Sequence, residues 1–501
     1  MRRFEMNARR FATAAWAALL AIGLLISSPV SAAEALLADA AESRNSKAVR
    51  TLLEQEADVN AAQADGMTAL HWATWYDDLE TVQRLIAAGA DARAANRYGV
   101  TPLSLACTNG NKAIVALLLD SGADAKSSLT GGETALMTAS RTGRLGVVQL
   151  LLDREADVNA RERREQTALM WAAADGHVAV VDALLKAGAD FRTPLPSGFT
   201  PLFFAVREGR SEVVFRLLEA GLDVNATMDP EQKNGGGAGG KAFSPLTLAV
   251  ENGHFELALA LLKAGADPNA QPAGHAALHA ISWVRKPIRG DGDPPPIGSG
   301  NLSSLDFVKQ LVALGADVNL KLEKGEPGRG RFTTTGSTPF LMAARSADVP
   351  LMRLLLDLDA DPGRPDEENS TPLLAAAGVS PLGDGDESAG TDEEVVEAVR
   401  LLLNLGADIN AVNTNGETAM HGAAYQSHTR VVQLLADRHA DISVWNRKNR
   451  RNWTPLMIAQ GHRPGNFRPA PETIAVMERV MQAAGVALPP KVKAEAARRG
   501  Y

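Results

Sequence analysis

Pairs of short apolar stretches, each pair broken by a glycine, recur along most of this chain. In their clearest form, residues 101–124, they read TPLSLACTNGNKAIVALLLDSGAD. Leu103 and Ala106 place a stripe on one face of a first helix, and Ile114, Val115, Leu117, Leu118 and Leu119 form a broader face on a second. Thr101 can accept from a backbone N–H that the first turn leaves unpaired, and Pro102 stands where a missing N–H is harmless. Gly110 suits the turn between the helices, and Gly122 the left-handed position past the second. Helices this short neither nucleate nor bury their faces alone, so the pattern predicts a neighbour on each side.

The same threonine recurs at Thr68, Thr101, Thr134, Thr167 and Thr200, in TALHWA, TPLSLA, TALMTA, TALMWA and TPLFFA, a constant step of 33 residues. Gly110, Gly143, Gly176 and Gly209 keep that step, and further starts fall at Ser244, Ala276, Thr338, Thr371, Thr418 and Thr454. A 33-residue period with the pattern TPLHxA and the closing phrase GADVN resembles the ankyrin repeat. The resemblance implies an all-α solenoid of stacked helix-turn-helix units joined by hairpin-like turns. It also implies a binding scaffold, whose partners dock on a concave side made by the turns and first helices. His71, His279 and His421 occupy the histidine of TPLHxA. By the same resemblance they make hydrogen bonds within their own repeats.

Residues 1–33 stand outside the pattern. Arg2, Arg3, Arg9 and Arg10 precede an apolar run at 11–26, and VSAA closes the segment before Glu34, the order of a secretory signal peptide. The run is short for a bilayer span of about 20 residues. Export of a monomer to the periplasm or beyond, from a bacterial source, is therefore expected, with an uncleaved inner-membrane anchor as the alternative. The remainder divides into an N-terminal end repeat (34–67), regular repeats (68–225), a Gly-rich insertion (226–243), and repeats at 244–453 carrying insertions at 285–301, 321–336 and 378–390. A C-terminal end repeat (454–490) and a tail (491–501) follow, and Ile474, Met477, Val480 and Met481 are expected to close the stack. The insertions are rich in Gly, Pro and charge and read as surface loops. Ser303 with Asp306, and Thr391 with Glu394, read as capping starts where helix resumes.

A net charge of −8 opposes nucleic acid as the main partner. The basic run WNRKNRRNW at 445–453 accordingly reads as a solvated turn between repeats. GGGAGGKA at 235–242 lacks the Ser or Thr that a phosphate-binding loop needs after its lysine. Asp384, Asp386 and Glu387 fail a calcium-loop pattern at Ala389 and Val395. The sole cysteine, Cys107, can form no internal disulfide and reads as a packed thiol. No catalytic residue, cofactor or metal site is expected, and no membrane span once the signal is removed.

Binding has better candidates. Carried over by register, the exposed positions of the first helices and turns hold Trp75, Tyr76, Arg97, Tyr98, Arg141, Arg163, Arg164, Phe199 and Arg207. Aromatic residues and arginine are the types that anchor interfaces. The expected function is noncatalytic binding of a protein partner on this face. The alternative is a ligand-binding or enzymatic protein whose site is built by the insertions.

Overall fold

The computed structural model describes residues 35–228, 242–286, 296–324, 335–379, 390–462 and 468–488. The signal segment, the glycine run at 235–240, the carboxylates Asp384, Asp386 and Glu387, and the 491–501 tail lie outside the described residues. Within them the chain is helical, with twenty-five helices from Leu36–Glu42 to Pro471–Ala483. The β features among the described residues are two isolated bridges, Ser128 with Thr134 and Met228 with Phe243. The second bridge brings together the two ends of the Gly-rich insertion.

The helix ends follow from local chemistry. Thr101 accepts from the Ser104 N–H at 3.2 Å, and helix Pro102–Asn109 ends on Gly110 at φ +80°. A side chain at Gly110 would be strained there, and its Cβ would also stand 2.3 Å from Arg144. Helix Lys112–Asp120 buries Ile114, Val115, Leu118 and Leu119. The expected starts at insertions are present too: Ser303 accepts from the Asp306 N–H at 3.1 Å, and Thr391 and Glu394 form a reciprocal capping box.

The chain forms two compact units, Met1–Leu222 and Asp223–Tyr501. In each, first helices pack on first helices and second helices on second helices of the adjacent repeats. Polar struts cross the joints. Asn159, from the GADVN-type phrase, donates to the Gly188 carbonyl at 3.2 Å and accepts from the Asp190 N–H at 2.7 Å. In the second unit Asn269 does the same to Gly315 and Asp317, at 2.9 and 2.8 Å.

Three expectations are corrected. The motif histidines do not bond within one repeat alone. The Thr68 N–H donates to His71 Nδ1 at 3.2 Å, which leaves the proton on Nε2, and Nε2 donates to the Val100 carbonyl of the next repeat at 3.0 Å. His279 and His421 reach Leu320 and Arg447 in the same way. The basic run is not wholly a turn either: it begins in helix Ile442–Trp445, and Trp445 is 2% exposed, because that extra turn of helix presses the indole into the stack. On the last helix, Met477 and Met481 are buried as expected, but Thr473 and Val476 are buried with them while Ile474 and Val480 are only half-buried. The helix is rotated slightly from the face its large apolar residues define.

Candidate functional site

All the candidate binding residues lie in the first unit, on two levels. The lower level is the set of first helices, where position is set by the threonine cap. The residue seven places after the cap emerges from the stack, those at places one, two and five fill its core, and the fourth is half-buried at Trp72 and Trp171 but buried at Leu105, Thr138 and Phe204. Trp75, Arg141 and Arg207 hold the seventh place, and Tyr76 the eighth. The upper level is the row of turn tips, which carries Arg97, Tyr98, Arg163 and Arg164.

The first-helix residues are drawn into arginine–aromatic stacks, two of which bridge repeats while that of Arg207 lies within its own. The Arg44 guanidinium lies 3.9 Å from the centre of the Tyr76 ring, and Tyr76 stacks on Trp72 at 6.0 Å. Arg141 lies 4.7 Å from the Trp171 ring of the next repeat and 3.5 Å from Glu133. Arg207 stands over Phe199 and Phe204 at 5.3 and 5.2 Å, with Glu208 at 2.9 Å. Such contacts are each worth roughly 0.5–1 kcal/mol at exposed sites. More usefully, they hold long side chains in one arrangement. Phe199 is the candidate that packs most locally, against Phe204 at 5.1 Å and the cluster of Met170 and Leu195. Trp75 is half-buried, and Asn109 donates to its carbonyl at 3.2 Å.

The turn tips are joined by backbone bonds from one to the next. The Arg97 N–H donates to the Asp65 carbonyl at 2.8 Å, Thr130 Oγ1 to the Tyr98 carbonyl at 2.7 Å, and the Arg163 N–H to the Gly131 carbonyl at 2.9 Å. The Arg97 guanidinium also donates to the Ala64 carbonyl. The Arg164 N–H donates to the Glu162 carboxylate at 2.8 Å. The backbone of each tip is thus held while Tyr98 stays 48% exposed, a large apolar surface left facing water.

Sequence reasoning missed Arg44, Trp72, Trp171 and Phe204, which complete the stacks. A signal for three of them was present. The fourth place after the cap runs Trp72, Leu105, Thr138, Trp171, Phe204, while the second is always leucine and the fifth always alanine. A position that varies so widely between identical packing positions is not set by the core of the repeat alone, and the structure half-exposes it at Trp72 and Trp171 while burying it at Leu105, Thr138 and Phe204.

The residues set aside as structural occupy structural places. Burial pushes the Cys107 thiol up to about 12, which keeps it protonated and inert. Both ring nitrogens of His71, His279 and His421 are engaged. Among the described residues no group of three His, Cys, Asp or Glu side chains could hold a metal ion. No helix among them is long and apolar enough to cross a membrane.

A family model described as ankyrin repeats in three copies matches residues 19–96, 75–162, 157–228 and 389–466, more than half of the chain. A single-repeat model of the same kind matches 243–272. The chain is similar to the Neurogenic locus notch homolog protein 1 of Xenopus tropicalis, 32% identical over 177 residues, which cover 31% of this chain and 6% of that protein. It is similar to the putative ankyrin repeat protein YahD of Escherichia coli (strain K12), 30% identical over 156 residues, covering 31% and 64%. It is also similar to the Ankyrin repeat and SOCS box protein 6 of Homo sapiens, 35% identical over 114 residues, covering 23% of each. The chain spans less than two thirds of the length of each.

Proposed function

Because the chain belongs to the ankyrin-repeat family, whose repeats are interaction modules, we propose that it is a noncatalytic scaffold that binds a protein partner on the first-helix and turn-tip face of its first unit. The observation that carries this reading is the set of arginine–aromatic stacks, Arg44–Tyr76 and Arg141–Trp171 between repeats and Arg207–Phe199 within one. They hold aromatic and guanidinium groups in place before any partner arrives, which lowers the entropy lost on binding. Trp75, Arg97, Tyr98, Arg163 and Arg164 extend the same face, and no catalytic step is assigned to any of these residues.

We also propose that residues 1–33 export the chain, to the periplasm in a bacterial source, and that the mature chain is a monomer. The mass of the chain purified from its host tests the cleavage, and an intact Met1 would instead indicate an anchor. The alternative reading, a ligand site built by the insertions, is separated by a mass-spectrometric survey for retained small molecules.

For the scaffold, crosslinking in the native compartment identifies the partner, and the quadruple variant Arg97→Ala, Tyr98→Ala, Arg163→Ala, Arg164→Ala tests the surface. With helical content and thermal midpoint unchanged, the variant is expected to lose the partner. Full retention of the partner would show that binding lies elsewhere on the chain.

A further inference from the structure

Helix Ala277–Arg285 ends where the insertion at 285–301 begins, and the described end of that insertion, 296–301, lies back on the preceding repeat. The Ser299 N–H donates to His254 Nδ1 and the Asn301 N–H to the Glu256 carboxylate, both at 2.9 Å. Between them in the contact, Gly298 meets Gly253 backbone to backbone, so that a Cβ there would run into the Gly253 carbonyl. The segment so pinned borders a cavity of about 350 Å³ within the second unit. Phe255, Val284 and Leu302 supply apolar wall, and Arg285 and Ser304 supply polar wall.

Arg285 is fixed before anything enters. Its Nε and Nη2 donate to the Asp348 carboxylate at 2.6 and 3.0 Å, and Asp348 is fully enclosed. Its Nη1 donates to Ser304 Oγ at 2.6 Å. Of the five N–H groups of a guanidinium these bonds use three. The other two, and the Ser304 O–H, have no acceptor among the described residues. The donors are not matched by a surplus of positive charge. Asp348 neutralises Arg285, Glu394 lies 2.7 Å from Lys286, and the Glu256 carboxylate stands against Gly300 on the cavity wall. A carboxylate entering here would be repelled, whereas an uncharged carbonyl accepts the same hydrogen bonds with no charge to desolvate.

Apolar wall beside free donors suits an apolar side chain next to a carbonyl, which is the repeating unit of a peptide. Ile297 extends the surface beyond the cavity. It stands between Pro296 and Gly298, which both line the cavity, and is 87% exposed, a large apolar side chain left in water at the rim. A molecule confined to the cavity would leave it uncovered. We propose that this cavity docks an uncharged, apolar stretch of a protein partner's chain. Arg285 and Ser304 take a main-chain carbonyl, a leucine-sized side chain lodges against Phe255, Val284 and Leu302, and Ile297 packs on the residue that follows. The site rests on the scaffold reading only for the source of the peptide, and it shares no residue with the first-unit face.

The test measures binding of the uncharged peptide acetyl-Gly-Leu-Gly-Leu-amide to the full chain by saturation-transfer NMR, with acetyl-leucine amide and acetyl-leucine as comparisons. Saturable binding of the peptide is expected. Leu302→Trp, which fills the cavity from a half-buried position, should abolish it, and Ser304→Ala should weaken it about threefold to tenfold, the size of one lost hydrogen bond. Ile297→Ser, a change on an exposed side chain, should weaken the peptide and leave acetyl-leucine amide as it was. The quadruple variant at Arg97, Tyr98, Arg163 and Arg164 should bind the peptide as the parent does, which separates failure of this site from failure of the first-unit face. The site is overturned if the peptide does not saturate, if Leu302→Trp folds and binds as the parent does, or if Ser304→Ala and Ile297→Ser both do. Tighter binding of acetyl-leucine would overturn the uncharged ligand, and equally tight binding of acetyl-leucine amide would overturn the peptide.

Discussion

Leu118 is fully enclosed between the helices of its own repeat and those beside it. Its replacement by alanine removes buried methyl groups and leaves a cavity that the stack closes only in part, a loss of about 2–5 kcal/mol. A urea titration giving less than about 0.5 kcal/mol, the size of a surface change, would contradict its placement. His279 sets a pH dependence. Burial lowers its pKa from the ordinary 6.5 to about 4, outweighing the Leu320 carbonyl that accepts from Nε2 and raises it. Between those two pH values the unfolded chain binds a proton that the folded chain does not. The stability contributed by the neutral ring is therefore intact above about pH 6.5 and is lost as pH falls towards 4. Asp366 opposes this: its carboxyl is raised to about 6, so the folded chain takes up that proton first and gains stability as pH falls through 6. Comparing His279→Asn with the parent isolates the histidine. The variant should lose less stability between pH 7 and pH 5, and equal losses in the two proteins would remove the histidine from the account.

At the scale of one element, Gly422 separates local from tertiary reasoning. It lies inside helix Ala419–Tyr425, where alanine is normally favoured over glycine by about 1 kcal/mol. The neighbouring repeat reverses the sign. Helix Pro372–Ala376 is cut short, and the chain leaving it through Gly378 and Val379 crosses directly over Gly422, so that a Cβ would stand 2.5 Å from the Val379 nitrogen. The obstacle is backbone, which cannot rotate aside. Gly422→Ala should therefore destabilise, by about 1–3 kcal/mol, the range typical of overpacking. An increase in stability would mean that the crossing is not made.

For the whole molecule, the helices of each repeat pack mainly on those of its neighbours, the Lys286–Glu394 ion pair at 2.7 Å being a contact between repeats two apart, and stability should spread accordingly. In Leu118→Ala, hydrogen exchange should rise most in helices Ala69–Trp75 to Leu145–Asp153, which flank the cavity, and remain unchanged in the second unit, residues 223–501. A uniform rise along the chain would instead make it one cooperative body. The same near-neighbour logic explains why the candidate surface in the first unit is a row: every 33-residue step returns the same position to the same face.

Much of this was legible in the order of residues. Caps at Thr101 and Thr391, the turn at Gly110 and the buried face around Leu118 depend on groups a few places apart, so the sequence by itself determined the helix pairs, their period and their all-α stacking. It also determined which positions leave the core. The tertiary structure alone decided what stands opposite them. Arg141 meets Trp171, and Arg345 meets no ring or paired acid among the described residues, yet both hold the same place in their repeats. His71 bonds to Val100, Trp445 is enclosed, and Gly422 is crossed by backbone, each because of what an adjacent repeat or helix presents. Contacts of that kind span tens of residues, and no local pattern carries them.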